Sequence, residues 1–126
     1  MKDYKVEITG SSKELTARDK IKLKDLTNAK RLDDMTQAGA VVIKPESYVT
    51  LHIINPASEN KEYDITMVLD ENGDKYITGS ESFYTSFMDI WDELVIDAGE
   101  TDFEISVYRV DSKNYKGKQF ITCSLI

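Results

Sequence analysis

The chain has 126 residues, of which 40% are hydrophobic and 31% charged, and its formal net charge is −7. This length and composition predict one soluble domain over residues 1–126, and they exclude a membrane-spanning protein, since no apolar run approaches the roughly 20 residues that a span needs. The single cysteine excludes a disulfide framework, and the start of the chain lacks the apolar stretch of a signal peptide, so we expect a cytoplasmic protein.

The charge is unevenly distributed along the chain. Residues 13–31 carry seven basic and three acidic side chains, whereas residues 32–104 carry three basic and seventeen acidic ones. Residues 105–126 are basic again, with four cations and one acid. This asymmetry predicts a cationic surface and an anionic surface. The alternative is that these charged loops and helix faces are simply solvated.

Alternating apolar and charged side chains in stretches 4–8 and 20–24 predict two half-buried strands. In the second strand Ile21 and Leu23 face the core, and the opposite face carries a row of lysines. Such a row either contacts phosphates or protects an edge strand from pairing, and both interpretations stay open. Residues 27–40 predict a loop with a short helical turn. The lysines of the row are Lys20, Lys22 and Lys24.

The middle of the chain predicts two strands around a turn at Pro45, because proline cannot donate a hydrogen bond to a sheet. The second of these strands is rich in β-branched and aromatic residues and runs from Tyr48 to Ile54. A hairpin follows. Its tight turn is predicted at Asn72-Gly73, where the two residues tolerate the positive φ angles that such a turn needs.

The stretch TGSESFYTSFMDIWDELVIDAGE predicts one amphipathic helix that ends at Gly99, with Thr78 and Ser80 as rival N-caps. Two more strands, around residues 103–107 and 120–125, form a terminal hairpin. Many short strands and one late helix predict a mainly β protein, either a small mixed sheet or a small barrel. The apolar stripe of the helix consists of Phe83, Phe87, Ile90, Trp91, Leu94 and Val95.

Catalytic and metal-binding residues are poorly represented. His52 is the only histidine and Cys123 the only cysteine, so no nucleophile–base pair or zinc cluster is predicted. Asp70, Asn72 and Asp74 alternate like the start of a calcium loop, but the glutamate that should follow is missing, and the hairpin explains them better. We therefore expect no enzyme, no metal, no cofactor and no small-molecule substrate.

Binding of single-stranded nucleic acid needs cations for the phosphates and flat rings for the bases. Several of the seven tyrosines lie next to Lys or Arg in the sequence. Most of these tyrosines have an alternative interpretation as half-buried strand residues. Tyr115 is favoured, because it belongs to the charged turn SKNYKGKQF, in which Gly117 lets the chain adapt. The candidate nucleic-acid-binding residues are Lys20, Lys22, Lys24, Tyr48, Lys61, Tyr63, Lys75, Tyr76, Tyr108, Arg109, Lys113, Tyr115, Lys116, Lys118 and Phe120.

The stretches DKYITGSESFYTSFMDIWDEL and FEISVYRVDSKNYKGKQFITCSL resemble the small single-stranded DNA-binding proteins of phages and mobile elements of Gram-positive bacteria. The resemblance covers roughly residues 65–125. It implies an OB-fold-like small barrel that coats single-stranded DNA in replication or recombination, in the cytoplasm of a bacterial host. It also implies roles for Lys113, Tyr115, Lys116 and Lys118. The acidic C-terminal tail of cellular relatives is missing here, which leaves tail-mediated recruitment in doubt.

Two other functions fit the same sequence. The acidic helix, with Asp89, Asp92, Glu93 and Asp97, would suit a decoy that presents DNA-like charge to a host DNA-handling enzyme. An aromatic surface would suit a self-associating assembly protein. The partners that we expect are single-stranded DNA, further copies of the chain and replication or recombination proteins, and no membrane.

Overall fold

The computed structural model describes residues 4–57, 61–113 and 116–126. It is mainly β, with 42% strand and 25% helix, which confirms the predicted class. The strands are β1 (Lys5–Ser11), β2 (Lys30–Arg31), β3 (Val41–Ile43), β4 (Pro45–Ile54), β5 (Glu62–Asp70), β6 (Lys75–Thr78), β7 (Ile105–Asp111) and β8 (Gln119–Leu125). The helices are α1 (Ala17–Lys24), α2 (Leu32–Met35) and α3 (Glu81–Trp91), and a π-helical segment, Asp92–Asp97, continues α3.

Two sheets make up the β structure of the described residues. The larger has the strand order β1-β4-β5-β6-β2, in which β2 pairs parallel to β6 and every other pair is antiparallel. The smaller is antiparallel, with the order β3-β7-β8. The two sheets form no closed barrel within the described ranges.

One residue, Lys44, separates the two sheets along the chain. Val41–Ile43 belongs to the small sheet, and the large sheet begins at Pro45, where the pairing with β5 shifts register. Because proline has no N–H to donate, it fits the first position of a strand. The predicted interruption at Pro45 is therefore confirmed, and it marks a change of sheet.

The predicted hairpin connects β5 and β6. Asp70 holds the turn, because its carboxylate accepts the backbone N–H groups of Asn72 and Asp74, both at 2.9 Å. Gly73 has a φ of 84°, which favours glycine. The hairpin turn that the sequence predicted at Asn72-Gly73 is therefore confirmed.

Helix α3 confirms the predicted amphipathic helix. Ser80, one of the two rival N-caps, accepts the backbone N–H of Phe83. The ring stripe Phe83, Phe87 and Trp91 is buried, with successive ring centroids 5.7 and 5.9 Å apart. The stripe thus provides the aromatic part of the core, as its spacing predicted.

The predicted strand at residues 20–24 is wrong, because this stretch belongs to α1. Thr16 caps the helix in a capping box with Asp19, and the carboxylate of Asp19 accepts the Thr16 N–H at 3.0 Å. With a helical period Leu23 is buried, whereas Ile21 is 71% exposed. Two lysines four residues apart share a face of the helix, and the third points elsewhere, so Lys20, Lys22 and Lys24 do not form the predicted row.

Two apolar clusters pack on opposite faces of the large sheet. The first fills the space between this sheet, the small sheet and α3, and it includes Val68, Phe87 and Val107. The second lies under α1 and includes Leu23 and Leu51. None of the helices in the described ranges is long and apolar enough to cross a membrane.

Candidate nucleic-acid interface

The outward side of the small sheet is largely open, and α3 touches it at Thr122, whose hydroxyl lies 3.0 Å from that of Ser86. Side chains alternate along β7 and β8, so that Val107, Ile121 and Cys123 are buried against the first core cluster. Their neighbours on the opposite side are all half-buried or exposed. We call this side the outer face; it consists of Val42, Ser106, Tyr108, Val110, Phe120, Thr122 and Ser124.

Two aromatic rings lie diagonally across the outer face. Tyr108 is paired with Thr122, and Val110 with Phe120. The Tyr108 and Phe120 rings therefore lie on adjacent strands and belong to neighbouring residue pairs of the same face. The Tyr108 hydroxyl is 2.5 Å from the Ser124 Oγ, a hydrogen bond that fixes its ring on the sheet. Phe120 is 38% exposed. Two rings at this spacing can each contact a base.

The turn between β7 and β8 carries three exposed lysines, Lys113, Lys116 and Lys118. None of them forms an ion pair within the described residues. The nearest acid in the sequence, Asp111, accepts a hydrogen bond from the Gln119 amide at 3.0 Å. The three ammonium groups therefore remain available to an anion. Together with the outer face they form what we call the hairpin surface.

Gly117 has the conformation that this turn requires. Its φ is 81°, in the left-handed region where a side chain would be strained. The Ser112 N–H donates to the Lys118 carbonyl oxygen at 2.8 Å and closes the base of the turn. Tyr115, the favoured ring of the sequence analysis, lies outside the described residues.

Lys75 and Tyr76 take part in the fold. The Lys75 ammonium donates to backbone carbonyls at the end of α1, and the Tyr76 ring is buried with its hydroxyl 3.2 Å from Asp70. Burial raises the pKa of the Tyr76 phenol. Neither group contributes to the hairpin surface.

Tyr48 and Arg109 are also used internally. The Tyr48 ring packs edge-on against Phe87 and Trp91, with centroids 5.8 and 5.3 Å apart, and burial raises its pKa. The Arg109 guanidinium donates from Nε to the Thr36 hydroxyl at 3.1 Å and also to a carbonyl of α2. The ring is thus a core component, and the guanidinium ties β7 to α2.

The remaining candidates lie on other elements. Lys20, Lys22 and Lys24 are exposed on α1, and Lys61 is exposed just before β5. Tyr63 is half-buried on β5, where it lines a cleft of the large sheet. The structure thus brings together five described candidates, which are Tyr108, Lys113, Lys116, Lys118 and Phe120.

Sequence reasoning missed two apolar members of the outer face. Val110 lies beside Phe120, and Val42 on β3 is 54% exposed. The two-residue alternation that includes Tyr108 could have found Val110, since both have the same parity on β7. Val42 could not be found this way, because its pairing with β7 is a long-range contact.

His52 is a member of a surface charge cluster. Its Nδ1 is 2.8 Å from an Asp64 carboxylate oxygen, and its Nε2 is 3.5 Å from Glu62. The hydrogen bond to Asp64 makes the largest contribution to a raised pKa of the imidazole, and the hydrogen bond to Glu62 makes the next largest. No nucleophile pairs with His52 in the described part of the chain.

Cys123 is buried, and burial raises the pKa of its thiol to about 12. A thiol with such a pKa is a poor nucleophile near neutral pH. Across the described ranges, no group of three or more His, Cys, Asp or Glu side chains could hold a metal ion.

The hairpin surface thus combines rings with exposed cations, which is the combination that single-stranded nucleic acid requires. Compared with family models, with curated proteins and with solved structures, the chain matches none.

Proposed function

We propose that the chain binds single-stranded DNA without sequence preference and coats it during the replication or recombination of a phage or mobile element. The observation that carries the proposal is the hairpin surface, where two rings lie beside three lysines that have no ion-pair partner among the described residues. Most other cationic candidates of the sequence are structural or lie on other elements. The site is therefore small and contiguous.

The lysines of the turn bind the phosphates. Each neutralised phosphate releases condensed counterions, so affinity falls as salt rises. Tyr108 and Phe120 stack on successive bases, each for roughly 1–3 kcal/mol. A duplex keeps its bases stacked inside the helix and cannot offer them to the rings, which gives the preference for single strands.

An OB-like barrel is the finer fold that we propose. Two features support it: the chain passes from one sheet to the other through Lys44, and residues of both sheets share the first core cluster. OB folds are five-stranded, partly open barrels. The parallel strand β2 and helix α1 would be additions to that arrangement.

The acidic part of the chain restricts where DNA binds. The eight acids of residues 81–104 include Asp89 and Asp92 on the exposed side of α3 and the segment that follows it. Like charge repels phosphates from these elements and leaves the hairpin surface as the favourable approach. The same acids could present a docking surface to replication or recombination proteins of the host cytoplasm.

A titration of labelled oligo-dT, followed by fluorescence anisotropy at several salt concentrations, tests the function. We expect saturable binding that weakens with salt, and little binding of a duplex of equal length. Lys116→Ala should reduce the slope of log affinity against log salt by about 0.7, whereas the matched control Lys20→Ala on α1 should not. No binding at low salt would reject the proposal and favour the decoy or the assembly protein.

A further inference from the structure

The large sheet has a second surface feature, a cleft of about 650 Å³. Its floor is the sheet face around Thr50 and Thr66, and one wall is formed by Gly79, Ser80 and the first turn of α3 up to Tyr84. The other wall is the first part of β5, which extends beyond its pairing with β6 at Thr66. The hairpin surface shares no residue with this cleft.

A row of threonines forms the floor. Thr66 is paired with Thr50 on one side and with Thr78 on the other, so the three share one face of the sheet. The Thr50 hydroxyl accepts a hydrogen bond from Thr9 at 3.0 Å. The Thr78 hydroxyl accepts the Ser80 backbone N–H at 3.1 Å. Both ends of the row are thus satisfied within the protein.

Thr66 differs from its neighbours. It is 4% exposed, and its hydroxyl makes no hydrogen bond within the described residues. Every fully buried side-chain oxygen or nitrogen there has a partner, so the Thr66 Oγ1 must reach the cleft. A hydroxyl in this position is satisfied by whatever occupies the cleft.

The walls carry negative charge and an aromatic residue. Asp64 and Glu81 are the charged residues of the lining, and none of its described residues is Lys or Arg. Glu62 adds a third acid near Asp64, since both contact His52. Tyr84, which is 41% exposed, is the aromatic residue that lines the cleft from α3, whereas Tyr63 packs against the second core cluster on the other face of the sheet. Carboxylates with aromatic rings attract an organic cation and repel a phosphate.

We infer that this cleft binds a guanidinium or ammonium group, with Glu81 and Asp64 as counter-charges, Tyr84 as an aromatic wall and the Thr66 hydroxyl as a hydrogen-bond partner at the floor. A guanidinium or primary ammonium carries only donors, so Thr66 would accept. The group can belong to a small organic cation or to an arginine or lysine side chain of a protein. This site is separate from the DNA surface and does not depend on it.

The test is an amide-resolved NMR titration of the full chain with butylguanidinium, with butylurea as its neutral analogue. We expect saturable shifts at Thr66, Gly79, Ser80 and Tyr84 at millimolar concentration with the cation, and much smaller ones with butylurea. Equal shifts with butylurea, or shifts spread over all acidic surfaces, would overturn the inference.

Two variants strengthen the test. Glu81→Gln should weaken binding about threefold, as for an exposed ion pair, and Thr66→Val should weaken it by a similar factor because it removes the hydroxyl and keeps the shape. The matched control is Asp89→Asn, an exposed acid of the same helix outside the cleft, which should leave binding unchanged. Because Glu81 is exposed, its variant remains informative even if Thr66→Val fails to fold.

A peptide arm distinguishes the two sources of the cation. A glycine pentapeptide with one central arginine should bind at the same amides. Much tighter binding of the peptide than of butylguanidinium would assign the site to a protein side chain, and equal binding would assign it to a free cation. Equal affinity of the wild type and both variants for either probe would overturn the site. Oligo-dT affinity should not fall in Glu81→Gln, which separates this result from the proposed function.

Discussion

The Lys75 ammonium donates to the carbonyl oxygen of Lys22 at 2.5 Å, and also to that of Asp25 at 2.9 Å. These carbonyls lie at the C-terminal end of α1, where a cation complements the helix dipole; the Lys22 carbonyl oxygen also accepts the Asp25 N–H at 3.3 Å. A side chain that the sequence suggested for phosphate binding therefore holds α1 on the large sheet.

We expect Lys75→Met to lower the free energy of unfolding by about 1 kcal/mol, because the helix end loses a charge-assisted cap. Urea denaturation measures this effect. Lys20→Met, at an exposed position of the same helix, should cost much less. If the Lys75→Met protein had wild-type stability and weaker oligo-dT binding, Lys75 would bind a phosphate and would not hold the helix end.

Phe120→Ala should weaken oligo-dT binding by roughly 1–3 kcal/mol, because the outer face loses one stacking ring. The change in stability should be small, since Phe120 is 38% exposed. Tyr108→Phe is the matched control: it keeps the ring and loses the hydrogen bond to Ser124, so its affinity should change less. Wild-type affinity in Phe120→Ala, with a native circular dichroism spectrum, would contradict base stacking at this face.

His52 should titrate with a pKa above its ordinary value of about 6.5, because the hydrogen bonds to Asp64 and Glu62 favour the protonated ring. A pKa raised by folding stabilises the native state below the unfolded pKa, and this contribution is lost as pH rises through the raised value. NMR titration of the ring protons gives the pKa directly. Asp64→Asn should bring it down towards the ordinary value; a pKa at or below 6.5 in the wild type would contradict the cluster.

Cys123 should not react with Ellman's reagent in the native protein at about pH 8, because burial keeps the thiol protonated, with a pKa of about 12, and shields it. Unfolding in guanidinium should release one equivalent of reactive thiol. Rapid reaction under native conditions would mean that the β8 strand opens away from the core.

Gly10 lies opposite Thr50 at the point where the β1–β4 register shifts. A methyl group built on Gly10 would be 2.7 Å from the Thr50 Oγ1, too close for an undisturbed contact. We expect Gly10→Ala to destabilise the protein by about 1–3 kcal/mol through this crowding. Gly79→Ala is the control, because its methyl group would meet the Asp64 carbonyl at an ordinary 3.5 Å. A double-mutant cycle with Thr50→Ala measures how much of the cost the pair shares.

Local chemistry explains which elements could be predicted from sequence. The Asn72-Gly73 turn and the ring spacing of α3 are short-range signals, and both were confirmed. The stretch KIKLK was misinterpreted because five residues fit a two-residue alternation by chance when the helix buries only Leu23. The deciding signal was upstream, in the Thr16–Asp19 capping box, whose spacing marks a helix start.

The candidate site was harder to predict because a cation's availability depends on distant partners. Arg109 contacts Thr36, 73 residues away, and Lys75 contacts Lys22, 53 residues away. The residues next to Arg109 and Lys75 in the sequence do not indicate either contact. The lysines of the β7–β8 turn are exposed, because a short turn between two strands has few elements to pack against.

The single residue between β3 and β4 has a consequence for how the molecule opens. Because Lys44 alone connects the two sheets there, a fluctuation that detaches β3 from β7 pulls directly on the start of β4. The Lys44 ammonium is 2.9 Å from a carboxylate oxygen of Asp102, which lies shortly before β7. This ion pair adds a second link at the same junction. We therefore expect the amide protons of both sheets to exchange with solvent through one cooperative opening, so that the molecule behaves as a single folding unit.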